Sequence, residues 1–277
     1  MSKSSLTRLS CRQVLAFALL LLLAQVACAQ PPRTVLLQDL TWTELRDRIQ
    51  SGSTTIIIPI GGTEQSGPYV ALGKHNARAA WLSQRIAEQL GNALVAPVVA
   101  YVPEGGYAPP TSHMRFPGTI TIPDTVFEQM LVSVANSFAV HGFRNIVFLG
   151  DHGGYQNDLI RVVAKLNKSW APARARAFLP PAYYETSSTG YAQILRQRGF
   201  RDDEIGTHAG LADTSLQLAV APQMVRLDQL HHATKPGAAD GVYGGDPRRS
   251  TAQLGKLGTD AIVSRTVAAI RKEIAGH

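Results

Sequence analysis

The run Thr54 to Ile60, TTIIIPI, is apolar on successive residues instead of alternate ones. A strand with one wet face alternates, whereas a strand that is apolar throughout needs cover on both faces. This segment therefore asks for a place inside a sheet that is flanked by helices. Further strand-like segments follow at 94–102, 145–149 (NIVFL) and 176–179. Helical patterns separate them. Thr41-Trp42-Thr43-Glu44 reads as a capping box opening a helix through Ile49. Ala80, Leu82, Ile86 and Leu90 lie at near-helical spacing in 76–90, and Asp124 is placed to cap a helix over 125–140. Others are predicted from the turn at 150–158 to near Lys168, near 187–198, over 213–221 and over 251–274. Strands alternating with helices imply right-handed crossovers. The expected fold is α/β, a three-layer α/β/α arrangement with a mostly parallel central sheet. No linker divides residues 30–277, which are read as a single domain.

Residues 1–29 are set apart. Lys3, Arg8 and Arg12 precede an apolar core from Val14 to Val26, closed by Ala27-Cys28-Ala29. That is the pattern of a cleaved secretory signal, and the apolar run is short for a membrane span. Cys28 offers a lipid-anchored alternative, but Gln25 stands where a lipoprotein signal carries leucine. The expectation is an exported, periplasmic protein with no stable membrane insertion after cleavage. Cys11 and Cys28 both fall in this segment. The mature chain thus has no disulfide, no thiol nucleophile and no thiolate ligand. Removing three basic residues lowers the formal charge from +7 to +4. That mild excess, without basic runs, gives no case for a nucleic-acid partner.

Three segments rich in glycine or proline leave predicted strands at one edge: 61–75, 103–119 and 150–156. Ligands of open α/β sheets gather at the carboxyl ends of the strands. Glu64, His75 and His152 lie in or beside such loops, and His208 and Asp213 share a fourth, THAGLADTS. Together they form a nitrogen and oxygen donor set suited to Zn²⁺, Mn²⁺ or Fe²⁺. Each also has a plain role: Glu64 bonding its own turn, a histidine packing beside glycine, Asp213 capping a helix. Asp151 stiffens its loop or accepts a hydrogen bond from His152.

Five motifs in order, PIGGTEQSGPYVALGKH, HMRFPGTITI, VFLGDHGGYQN, HAGLADTSL and GVYGGDP, span nearly all of the mature chain. Together they resemble the creatininase (creatinine amidohydrolase) family. The resemblance implies an α/β/α hydrolase, metal-dependent, acting on cyclic amides, formamides and related C–N bonds, and a homo-oligomer, commonly a hexamer. It implies that Glu64, His152 and His208 match the family's glutamate and histidines. It also exposes departures. The family's first-motif histidine is Ser66 here, the next is Tyr69, the metal-bridging aspartate is His75, and a glutamate after the second-motif histidine is Gly154.

A carboxylate bridges two ions with its two oxygens, whereas a neutral imidazole binds one. The expectation is therefore one divalent ion per chain, zinc first, on Glu64, His75, His152 and Asp213. Ser66 and Asp151 support the ligands. His208 is the expected general acid and base. Tyr107, Ser112, His113 and Phe116 are expected to wall a small-molecule substrate. Two other readings stay open: a degraded site on the same fold that only binds, and a lactonase or esterase using the same activated water.

Overall fold

The computed structural model describes residues 34–170 and 175–276. The signal segment expected at 1–29 lies outside them. In chain order the elements are α1 (Trp42–Gln50), β1 (Thr55–Ile60), α2 (Lys74–Leu90), β2 (Ala93–Val95) and α3 (Asp124–Val140). Then come β3 (Asn145–Gly150), α4 (Gln156–Ser169), β4 (Arg176–Phe178), α5 (Pro181–Glu185) and α6 (Tyr191–Arg196). The chain continues through α7 (Asp202–Ile205), β5 (Gly206–His208), α8 (Leu211–Val220), α9 (Leu227–His232), β6 (Tyr243–Gly245) and α10 (Ala252–Ala275).

The four main strands run in the order β2-β1-β3-β4, all parallel. β1 is central, and its residues are buried end to end. Alternate side chains serve opposite layers, which is why the run does not alternate in sequence. Ile56, Ile58 and Ile60 join Phe127 and Leu131 of α3 and Leu159 and Leu166 of α4. Ile57 turns the other way, with Val147 of β3, onto Leu82 and Ile86 of α2 and Ile262 of α10. Each fully buried isoleucine stabilises by about 1.5–3 kcal/mol relative to exposure. Helices α8 and α10 pack closely: a Cβ on Gly255 would stand 1.8 Å from the Ser215 carbonyl oxygen.

The capping box is present, with Thr41 and Glu44 bonding each other's backbone. Three expectations change. The strand predicted over 94–102 pairs only at Ala93–Val95 and again at a single bridge, Ile60 to Val99, because Pro97 interrupts the ladder. The helix predicted near 187–198 is instead α5, a π-helical turn at Thr186–Gly190, and α6. The antiparallel pair β5–β6 was not anticipated; it joins His208 to Tyr243. Among the described residues no helix is long and apolar enough to cross a membrane.

Candidate metal centre

The carboxyl ends of β1 and β3 lie side by side, Ile60 opposite Gly150. Each strand runs straight into a loop that carries chemistry: Gly61 to Leu72 after β1, Asp151 to Tyr155 after β3. The Tyr155 hydroxyl pins the two loops together. It accepts from the Asp151 and His152 N–H groups and donates toward the Ile60 and Gly61 carbonyls. Gly62 has φ of +146°, and a Cβ there would stand 2.6 Å from the Glu104 carboxyl group. Only glycine lets that loop pass so close to a buried acid.

Glu64 is fully buried at the meeting point. Its two oxygens face different company. Oε1 lies 2.7 Å from His75 Nε2, 3.5 Å from Lys74 Nζ and 3.6 Å from His208 Nδ1. Oε2 has no hydrogen-bond partner, yet it stands 3.2 Å from His113 Nε2 and 3.4 Å from His152 Nε2. Glu104 comes in beside His152, 3.7 Å from its Nδ1, and neither of its oxygens has a partner. Glu64, Glu104, His113 and His152 place one ligand atom each within 4.8 Å of one another. Buried carboxylate oxygens without partners are costly unless something binds them. Two carboxylates and two imidazoles are a donor set that fits a divalent ion.

The electrostatics prepare that state. Burial would raise the Glu64 carboxyl, but the Lys74 ammonium and the His75 ring outweigh it and hold it well below the usual range. Burial pushes His152 and His208 down to about 3, and His113 below its ordinary value. These rings are neutral near pH 7 and keep a lone pair. Glu104 goes the other way: burial, then the Glu64 charge, pushes it up to about 9.

A charged lattice supports the centre from behind. Lys74, His75 and Arg78 open α2, and the first two are nearly unexposed. His75 Nδ1 meets Asp151 at 2.5 Å, so both of its ring nitrogens are engaged by carboxylates. Asp151 also accepts from Arg78 Nε at 2.7 Å and from the Tyr183 hydroxyl at 3.0 Å. It thus holds His75 where the sequence suggested His152. Asp213 accepts from Arg78 at 2.6 Å and from the Ala209 N–H at 3.0 Å, and it pairs tightly with Lys74. The Gln65 side chain touches His113 Nδ1 at 3.0 Å and His208 Nε2 at 3.1 Å, holding those rings side by side.

The structure thus brings Glu64, His75, His152 and His208 together, all within 3.6 Å of the Glu64 carboxylate. Asp213 stays outside that contact, with both oxygens taken by α2 and a backbone amide. His113 faces Glu64, whereas Tyr107 is two-thirds exposed and Ser112 is at the surface. A cavity of about 510 Å³ opens over the centre; His113 lines it, and Tyr107, Ser112 and Phe116 do not. Its far wall is the π-helical turn, through Ser187, Ser188 and Thr189. Ser66 is buried and its hydroxyl has no partner. Glu104 and Lys74 were missed. Glu104 repeats the Glu64 setting, an acid between an apolar strand end and glycines. That parallel was the available signal.

Comparison with known proteins identifies the family and the fold. The family described as creatinine amidohydrolase matches residues 38–270. The creatinine amidohydrolase of Pseudomonas putida is 27% identical over 242 residues, covering 84% of this chain and 90% of the relative. A solved manganese form of creatininase shares the fold with a TM-score of 0.71 at 23% identity, over 87% of this chain and 99% of that one. A mutant creatininase of Zn–Zn type aligns with a TM-score of 0.68 at 25% identity, over 87% of this chain and 98% of that one.

Proposed function

Because the chain belongs to the creatininase family of metal-dependent amidohydrolases, we propose that it hydrolyses a C–N bond in a small amide, lactam or formamide. The observation that carries this is the unpartnered Glu64 Oε2 facing two imidazoles beneath a cavity. Glu64, His113 and His152 would hold one divalent ion per chain, with Glu104 as a fourth donor. Zinc is the first expectation, manganese or iron(II) the others. This set keeps Glu64 and His152 from the sequence and exchanges His75 and Asp213 for His113 and Glu104. His75 and Asp213 already have short-range partners of opposite charge or hydrogen-bonding character.

A bound ion supplies Lewis acidity toward the substrate carbonyl and an acidified water. The chain's own residues do the rest. His208 Nε2 lies 3.0 Å from the Gln65 carbonyl oxygen and 3.1 Å from the Gln65 side-chain nitrogen; in the tautomer whose Nε2 donates to the carbonyl, Nδ1 is free on the Glu64 side. That nitrogen takes the proton of the attacking water and returns it to the leaving nitrogen. Lys74 and Arg78 fix the Glu64–Asp213 side, so the donors do not relax when substrate enters. Hydroxyls of the π-helical turn face the substrate. The signal-like segment 1–29 supports a mature enzyme acting outside the cytosol, and the resemblance supports a homo-oligomer, hexameric in form.

The test is elemental analysis of the mature protein, followed by hydrolysis of small lactams and N-formyl compounds with and without chelator. One equivalent of metal and chelator-sensitive turnover are expected. His208→Ala should lower kcat by about 10²–10⁴-fold with metal content unchanged. Loss of the metal in that variant would make His208 a ligand instead.

Metal loading should also release protons. Below about 9 Glu104 holds its proton in the metal-free protein, and binding an ion displaces it. Apparent affinity should therefore rise about tenfold per pH unit between pH 7 and 9. Glu104→Gln should remove that slope. Calorimetric titration in buffers of different ionisation enthalpy reads the proton directly, and an equal slope in wild type and Glu104→Gln would take Glu104 out of the site.

A further inference from the structure

We propose that the Tyr184 hydroxyl is a catalytic hydrogen-bond donor, which holds the substrate's carbonyl oxygen while water adds to the carbon. The inference rests on the hydrolase reading above and adds a residue to its site. The cavity over the centre is lined by five residues with hydroxyls: Tyr184, Ser187, Ser188, Thr189 and Thr207. Four of them already donate to backbone carbonyls. Ser187 donates to the Tyr184 carbonyl at 2.9 Å, and Ser188 to the same oxygen at 2.7 Å. Thr189 donates to the Glu185 carbonyl at 3.0 Å and Thr207 to that of Tyr243 at 3.2 Å. Toward a ligand these four are acceptors. The Tyr184 hydroxyl has no hydrogen-bond partner among the described residues, so its hydrogen is the one left to give. The cations on the wall are engaged elsewhere. Lys74 pairs with Asp213, Arg78 divides itself between Asp151 and Asp213, and the half-exposed Arg196 bonds Asp202.

The hydroxyl is also in the right place. A Cβ on Gly153 would stand 2.3 Å from the Tyr184 hydroxyl oxygen, so that oxygen lies against the backbone of the residue after His152. His152 turns its Nε2 to Glu64 Oε2, on the side where the ion belongs. The donor and the metal-facing imidazole therefore share one loop and one cavity. The charges of Asp151, Arg78, Asp213 and Glu64 all act on Tyr184. Burial, then the Asp151 charge, pushes it above its ordinary value, so it stays an O–H donor at neutral pH. Its position is braced from both ends. The preceding Tyr183 donates to Asp151 at 3.0 Å, and the π-helical turn bonds back to the Tyr184 carbonyl through Ser187 and Ser188. Single π turns recur at functional sites. An uncharged donor is not repelled by a divalent ion, as an ammonium would be. A fixed donor aimed at an oxygen that gains charge in the transition state raises kcat more than it tightens substrate binding.

The experiment compares wild type, Tyr184→Phe and Gly153→Ala, each loaded with Zn²⁺. Calorimetry reads the binding of acetohydroxamate, an anion with a carbonyl oxygen that accepts hydrogen bonds, and kinetics read the small amides that wild type hydrolyses. Tyr184→Phe deletes one oxygen that has no protein partner, so Tm and zinc content should stay as in wild type. Acetohydroxamate should bind it about 10–100-fold more weakly, and kcat should fall about 10²–10³-fold with KM nearly unchanged. Gly153 has an ordinary negative φ, so alanine fits its backbone, and the added Cβ displaces the hydroxyl without deleting it. That variant should lose affinity and kcat in the same way. Equal acetohydroxamate affinity in wild type and Tyr184→Phe, or a rise in KM at constant kcat, makes Tyr184 a wall residue and overturns the proposal with the metal enzyme intact. A wild type that takes up no zinc would remove the metal reading and this proposal with it.

Discussion

Glu64→Gln should empty the centre and lower kcat/KM by roughly 10³-fold or more, with little change in volume. The reason lies in the two faces of the carboxylate. On one face His75 Nε2 and Lys74 Nζ both present hydrogens to Oε1. A glutamine must turn its carbonyl oxygen that way, because its NH₂ group cannot accept. The NH₂ then points to the Oε2 side, toward His113 and His152, where the ion belongs. An amide nitrogen with two hydrogens is no ligand, so the substitution replaces a donor with a plug. Lys74 retains Asp213, so the fold should survive. Metal content and turnover should fall together. Should Glu64→Gln keep one equivalent and activity within tenfold, Glu64 is a structural acid, and the metal reading goes with it.

The sequence carried the sheet further than it carried the site. β1 was legible because burial on both faces leaves a continuous apolar run, and α1 because a capping box is a local device. β5 and β6 were not, since three-residue strands rich in glycine have no period and pair across 35 positions, His208 to Tyr243. At the site, Glu64, His152 and His208 could be assembled because loops after parallel strands share one edge. The orientation of single side chains was beyond that logic. Lys74 precedes His75 at the start of a helix, where a lysine ordinarily reaches water; its inward turn is set by Glu64 and Asp213, distant in sequence. His113 was assigned to a wall because its loop is long. It does line the cavity, and its 3₁₀ turn over Ser112–Arg115 also brings it onto Glu64.

Arg78→Met should destabilise the fold by about 3–5 kcal/mol, the cost typical of removing one partner from a buried pair. Arg78 is 4% exposed and joins two acids from different parts of the chain, Asp151 after β3 and Asp213 at the start of α8. The planar fork suits this, with Nε on one carboxylate and a terminal nitrogen on the other. Lysine cannot reproduce the fork, so Arg78→Lys should recover only part of the loss. At about 2–4 °C per kcal/mol for a chain of this size, the methionine variant should melt roughly 10 °C lower. The pH dependence identifies the cause. In the wild type, burial would raise Asp151 and Asp213, but Arg78 helps to hold both below the ordinary aspartate value of 3.8, with His75 at Asp151 and Lys74 at Asp213. Depressed values contribute stability above 3.8 that is lost as pH falls further. Without the guanidinium both values rise, so the variant takes up protons sooner on acidification and escapes its charge cost. The gap between variant and wild type should therefore be widest at pH 7 and narrow toward pH 4. Urea unfolding across that range reads it. A gap below about 1 kcal/mol at pH 7, the size of an exposed pair, would mean that water reaches these acids and that the lattice behind the centre is not dry.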